Sequence, residues 1–441
     1  MDSHPRVKPA LRRAWRDRQS VQFGVTAAHA VVVGPVDTAT GSLLSLLDGT
    51  RGMPLLREEA RALGLPDGRV DTVVARLAGA GLIDDVTAGG AAADALRRRT
   101  AEADRLRPDL ASLSVVSPEP GGGARRLAAR RAARVQVRGA GRVGATVASL
   151  LAASGVGHVD VLDGGCVEPW DVAPGGVPAE SVGTRRATAA RQTVRRWAPG
   201  RAPRAGSGAG PTREGTGTGR EGSGTGREGT GTGREVSGTG PPVGARSLGG
   251  GGAASGAAGQ DGGGERCGGG GALRLVVVAP RDGLEAYVPD PAVAEGWVAS
   301  RIPHLYAGVL EATGVVGPLV LPGGSACAGC MARARTEADR QWPRMLAQWR
   351  SGRRADVGAC DVALATAVAA LAAAHALAFL DGELPSSTGT RWEAALPLLD
   401  WRAERVAAHA ECYCGAGGEH PGGVERDVPS GGLKPHVTMA G

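Results

Sequence analysis

The chain has 441 residues, of which 73 are glycine and only 3% aromatic, and its formal net charge is +7. Glycine weakens helices and strands alike, so that many cannot all sit in regular elements, and the lack of a sustained G-x-y period excludes collagen. The positive charge is thinly spread and almost all arginine, with lysine only at Lys8 and Lys434, so nucleic acid is not an expected partner.

Residues 1–90 read as one small α+β unit. SVQFGV (20–25) and AVVVGPV (30–36) are short β-rich runs that predict a hairpin. Leu43, Leu44, Leu46 and Leu47 then share a helical face, and LREEARALGL (56–65) predicts a second helix. Asp67 is positioned to cap a third, which carries Val70, Val73, Val74 and Leu77 at helical spacing. Gly81 ends it, and a short strand begins at Leu82. A hairpin followed by three short helices has winged-helix proportions. Residues 91–131 predict a connecting helix and loop.

Residues 134–200 predict a βαβ unit. ARVQVRG is a strand, GAGRVGATVASLLAASG a glycine-led helix, and HVDVLDGG a second strand. An amphipathic helix follows over 183–199. Residues 201–271 then hold 28 glycines, and Arg213, Arg220, Arg227 and Arg234 mark a seven-residue repeat. Without an apolar seam this is not a coiled coil, and its composition cannot offset the entropy of ordering, so it predicts a disordered insertion. Beyond it, LRLVVVAP (273–280) reads as a buried parallel strand, with further strands from 301 and 315. The α/β domain therefore spans 132–422 around its insertion, and 423–441 is a polar, disordered tail. The Ala-rich run 362–380 reads as a buried helix. The charged start, MDSHPRVKPALRRAWRDR, has no signal-peptide core. The expectation is a cytoplasmic protein with no membrane partner.

Gly139-Ala-Gly141-Arg-Val-Gly144 follows a predicted strand and opens a predicted helix, as a phosphate-cradling glycine turn requires. The helix N-terminus adds unpaired N–H groups and a positive dipole end. Asp163 closes the next strand, where a carboxylate can accept bonds from ribose hydroxyls. A dinucleotide-binding oxidoreductase would use the same features.

Seven cysteines are present, and four form two close pairs, Cys327–Cys330 and Cys412–Cys414. Together they make a candidate tetrahedral structural zinc site, with a redox C-x-x-C and plain thiols as rivals. His409 is a further candidate ligand. Cys360 and Cys166 have no evident activating base, and Cys267 lies in the glycine-rich stretch.

The order of these features resembles the ThiF/MoeB family, relatives of the ubiquitin-activating enzymes. The resemblance is carried by RVQVRGAGRVGATVASLLAASGVGHVDVLDGGCVEPWDVAPGG, SVGTRRATAARQTVRRWAP and GPLVLPGGSACAGCMA. It implies a Rossmann-like, doubly wound α/β fold with structural zinc. It also implies an adenylyltransferase that uses ATP and Mg²⁺ to activate the C-terminal carboxylate of a small carrier protein or precursor peptide, as a homodimer. On this resemblance Gly139, Gly141 and Gly144 hold the nucleotide and Asp163 the ribose. Arg186 holds phosphate, and Asp282 is the metal-linked carboxylate.

The chain departs from the family in several places. Gly165 stands where a second aspartate is usual, and Trp170-Asp171-Val172-Ala173 replaces a segment that carries a phosphate-contacting arginine. Asp282 sits in A-P-R-D. Arg105 and Arg107 are candidates for an arginine that crosses the family dimer. A catalytically degenerate, peptide-binding scaffold is therefore the alternative. The N-terminal unit resembles leader-recognition elements of peptide-modifying clusters, which bind an extended peptide along a hairpin edge. Here that edge would be 20–25 or 30–36.

Overall fold

The computed structural model describes residues 3–200, 272–351 and 357–417, together with the backbone of 437–438. The glycine-rich repeat, with Cys267, and most of the tail lie outside the described residues.

The N-terminal region contains β1 (Pro5–Val7), β2 (Arg13–Trp15), β3 (Val21–Phe23) and β4 (Val31–Gly34). These are followed by α1 (Thr38–Leu46), α2 (Met53–Ala62), α3 (Arg69–Gly79) and β5 (Ile83–Asp85). β3 and β4 form the expected antiparallel hairpin, and β2 extends it on the β3 side. β3 is therefore interior to the sheet, and residues 20–25 offer no free edge. The alternation that marks β3 and β4 buries Val21, Phe23, Val31 and Val33 against Leu43, Leu56, Val73 and Leu77 of the helices. Asp67 does not cap α3. Gly68 holds the cap position at φ +80°, and Asp67 pairs with Arg61 instead.

Residues 91–132 form four short helices, not one: α4 (Ala91–Arg97), α5 (Thr100–Arg105), α6 (Arg107–Val116) and α7 (Gly122–Ala132). They are tied to the N-terminal region by buried polar bonds. Lys8 Nζ donates to the Ser117 carbonyl at 2.7 Å, and Ser114 donates to Asp84 at 2.8 Å. These tertiary contacts fix breaks that the Ala/Arg composition does not announce.

Next come β6 (Arg134–Arg138), α8 (Arg142–Ala153), β7 (His158–Leu162) and α9 (Arg186–Trp197). After the glycine-rich stretch come β8 (Leu273–Val278), α10 (Leu284–Tyr287), α11 (Pro291–Ala299), β9 (His304–Leu310) and β10 (Thr313–Val320). The chain continues with α12 (Ala328–Ala338), α13 (Trp342–Ser351), α14 (Val362–Leu380), β11 (Thr390–Ala395) and β12 (Arg402–Arg405). One seven-stranded sheet runs β12-β11-β10-β9-β8-β6-β7. The pairs from β7 to β9 are parallel, and those from β9 to β12 are antiparallel. β6 pairs on both sides with strands that follow it, β7 before the glycine-rich stretch and β8 after it. The crevice at a doubly wound sheet's switch point thus lies at the C-terminal ends of β6 and β8.

Two layers cover the sheet. On one face α8 is buried on nearly all sides, against β6, β9, α9 and α14. α14 is long and apolar enough to cross a membrane by composition. It nevertheless lays Leu364, Ala365, Val368, Ala369, Ala372, Ala373 and Ala376 on the sheet, a helical stripe whose small residues allow close approach. Asp361 caps it by accepting from Ala363 and Leu364. On the other face Val276, Trp297, Tyr306 and Val320 pack with the four clustered cysteines.

A last two-residue strand, β13 (Val437–Thr438), pairs in parallel with β4, aligning Val437 with Val33 and Thr438 with Gly34. The outer edge of β4 is thus occupied by the chain's own C-terminal segment.

Candidate functional site

The glycine turn lies at the β6/β8 crevice. Gly139 adopts φ +106°, and a Cβ there would stand 1.9 Å from the Ala279 carbonyl oxygen. A Cβ on Gly144 would stand 2.2 Å from the Gly139 carbonyl oxygen. Both glycines are thus required by backbone packing alone, before any phosphate is considered. Gly141 is the N-cap of α8 and carries no side-chain cap, so the amides of the first turn have no intrahelical acceptor.

Asp163 faces this turn from the end of β7. One oxygen accepts from the Ala140 amide at 2.8 Å. The other accepts from the Gly165 amide at 2.9 Å and from Arg186 Nε at 2.8 Å. A carboxylate offers about four acceptor positions, so about one remains for a ligand.

Arg186, the first residue of α9, does not project freely toward a phosphate. It is bound to Asp163, donates to the Cys166 carbonyl at 2.7 Å, and lies 3.6 Å from Asp171. A Cβ on Gly165 would lie 2.1 Å from an Arg186 guanidinium nitrogen. The glycine that replaces the family's second aspartate therefore makes room for this arginine.

Arg281, which belongs to no sequence motif, also reaches the turn. Its side chain lies 3.2 Å from where a Cβ on Gly141 would be. Its Nε donates to Asp171 at 2.7 Å, it pairs with Glu168, and it lies 5.7 Å from the Trp170 ring centroid. Asp171, 2% exposed, also accepts from the Glu168 amide. Asp163, Arg186, Asp171, Arg281 and Glu168 form one network with a formal charge of −1. The clue in the sequence was adjacency: Arg281 precedes Asp282 in the loop after β8. Asp282 itself accepts from the Leu284 amide and lines a cavity on the other face of the sheet.

Three other expectations find their places. Arg105 donates to the Trp197 and Ala198 carbonyls and so closes the end of α9, while exposed Arg107 pairs with Asp104. Cys360 lies beside the crevice, its carbonyl accepting from Arg142 at 2.7 Å, and burial raises its thiol above the usual range. His409 bonds Glu337 at 2.7 Å.

The second cluster is sulfur. Cys327, Cys330, Cys412 and Cys414 are buried, with all four Sγ atoms within 4.8 Å of one another. The 327–412, 330–414 and 327–330 separations are 3.6, 3.5 and 4.0 Å. A tetrahedral thiolate set at about 2.3 Å from a metal has sulfurs about 3.8 Å apart, so the residues fit one ion. The hydrogen bond between Cys327 and Cys330 lowers the Cys330 thiol and raises that of Cys327.

Residues 119–205 match the ThiF family. No curated protein matches the chain in sequence. Among solved structures, the fold resembles Escherichia coli MccB with AMPCPP and MccA, at TM-score 0.57 and 13% identity over 94% of this chain and 100% of that one. MccB with ATP gives a TM-score of 0.56 at 12% identity, covering 94% of this chain and 99% of that one. The heterocyclase TruD gives 0.52 at 13% identity over 94% of this chain and 43% of that chain. The segment that matches the ThiF family takes in α7, the glycine turn and α9.

Proposed function

We propose that the chain is a ThiF-type, ATP-dependent adenylyltransferase that activates the C-terminal carboxylate of a peptide or small carrier protein for biosynthetic modification. The observation that carries this reading is the convergence of the uncapped α8 N-terminus, Asp163, Arg186 and Arg281 on the β6/β8 crevice. ATP bound there supplies an electrophilic α-phosphorus. The substrate carboxylate forms a P–O bond to it as the bond to pyrophosphate breaks, leaving an acyl adenylate.

The chain's part is orientation and charge. The α8 amides face the phosphates, and Asp163 has one acceptor position for a ribose hydroxyl. Arg186 and Arg281 offset the accumulating negative charge once they exchange carboxylate partners for phosphate. Asp282, the Mg²⁺ residue that the resemblance implies, borders the cavity on the other face of the sheet and not the glycine-turn crevice, which counts against that role. The four cysteines hold a structural Zn²⁺. By analogy with the family, the protein works as a homodimer in the cytoplasm. Asp163 also suits NAD. Calorimetric titration with ATP and with NAD tests the assignment: ATP binding abolished by Asp163→Ala is expected, and heat with NAD alone overturns it.

The ion-pair network favours one alternative. Because Arg186 and Arg281 are already satisfied by carboxylates, the domain also suits a non-catalytic scaffold whose N-terminal sheet captures a peptide. MccA accompanies MccB in several of the similar structures, which supports a peptide partner under either reading.

A further inference from the structure

The antiparallel strands β2, β3 and β4 leave two outer strands, β2 and β4, and these differ in kind. β2 contains Arg13, is flanked by Arg12, Arg16 and Arg18, and exposes all three of its residues. Charge of that density discourages a further strand, and among the described residues none pairs with its outer side. β4 carries no such guard. From Ala30 to Val36 the chain reads A-V-V-V-G-P-V, without one charged side chain. Val31 and Val33 are buried, which fixes the strand on the core while its outer backbone groups still need partners.

A bare apolar edge needs a cover, and here the chain supplies one. β13 lies along β4 in parallel, with Val437 opposite Val33 and Thr438 opposite Gly34. Pro35 follows at once and has no N–H to continue the ladder. The cover is short, two residues against a usual strand of about five. Residues 418–436 connect it to Gly417 and can span roughly 60 Å at full extension. A segment on such a tether acts as a local ligand at an effective concentration of about 1 mM. It therefore holds the edge without sealing it, and a free peptide that pairs over more residues displaces it.

We infer that the outer edge of β4 is a docking edge for an extended, β-prone peptide lying parallel to it, and that the C-terminal segment is its built-in, exchangeable competitor. Backbone pairing gives such a site its affinity, and alternate side chains give it selectivity. That the incoming peptide is a substrate rests on the proposed function. The edge and its resident strand do not, because neither involves the glycine turn.

The test is fluorescence anisotropy with a labelled peptide of the chain's own residues 430–441, SGGLKPHVTMAG. It is titrated into the full chain and into the full-length double variant Val437→Pro, Thr438→Pro. Proline removes the N–H groups that β13 brings to the ladder. The variant is expected to bind the peptide at least threefold more tightly than wild type, with thermal melting unchanged. A peptide carrying the same two prolines should bind neither protein. Amide exchange at residues 31–34 should be faster in the variant and should slow again when peptide is added. Equal affinity for the two proteins, no binding by the variant, a wild type that never takes up peptide, or protection that falls on residues 13–15 instead overturns the inference. Peptide binding at β4 in a protein that binds no ATP supports the inference while rejecting the proposed function.

Discussion

The five-residue network at the glycine turn makes opposite predictions for two neighbouring changes. Glu168→Gln removes one negative charge and brings the formal balance of Asp163, Arg186, Asp171, Arg281 and Glu168 from −1 to zero. Glu168 is 40% exposed at its side chain, so solvent screens it. In a water-like dielectric, unit charges about 4 Å apart interact by about 1 kcal/mol, which corresponds to about a fivefold gain in ATP affinity. Arg281→Ala moves the balance to −2 and removes the guanidinium nearest Gly141. A charge-assisted hydrogen bond is worth about 1.5–3 kcal/mol, and the 34% exposure of Arg281 takes the lower end, about a tenfold loss. ATP titration calorimetry on wild type and both variants reads this directly. Tighter ATP binding by Arg281→Ala would refute the reasoning, because Arg281 would then be a plug and not a phosphate ligand.

The remaining predictions concern other parts of the chain. Metal analysis should find about one zinc per chain, and Cys330→Ser should release it and lower the melting temperature; unchanged zinc content would remove the four-cysteine site. His304 is fully buried between Trp297 and Tyr306, and burial lowers its pKa to about 4. Because the folded state resists a proton that the unfolded state accepts, stability is full above about pH 6.5 and falls as pH drops toward 4, by at most about 3 kcal/mol. Urea melts of His304→Gln should show a flatter dependence over that window, and an equally steep slope would exclude His304 as the source. Ending the chain at Gly417 removes β13 from the edge of β4. On the strand-addition reading, an extended peptide should then bind several-fold more tightly, and fluorescence anisotropy showing equal or weaker binding would contradict it.

The parallel half of the sheet was legible because buried strands such as LRLVVVAP and the glycine-led α8 combine period, punctuation and motif. The clustering of the four cysteines was legible for a different reason, since thiol pairs at close spacing point to a shared site. Their convergence over 80 residues was supplied by the sheet. The breaks among α4 to α7 were not legible, because bonds such as Lys8 to Ser117 and Ser114 to Asp84 connect residues far apart in the chain. Nor was the internal position of β3, since β2 has three exposed residues and no apolar alternation. At the candidate site, Asp163 was singled out by its place at a strand end and Arg186 by the family resemblance, but their mutual bond was not legible. It depends on Gly165, which looked like a lost aspartate and proves to be the space into which Arg186 folds. Arg281 was missed because a lone arginine in a loop has no pattern, and only the close approach of β8 to the glycine turn gives it a role.

Adenylation itself is tested most directly by exchange of labelled pyrophosphate into ATP, with Mg²⁺ and candidate peptides or small carrier proteins encoded next to the gene. Peptide-dependent exchange that requires a free C-terminal carboxylate and is lost in Arg186→Ala is expected. Peptide binding without exchange, and without any ATP binding, would contradict it and leave a scaffold on a ThiF fold.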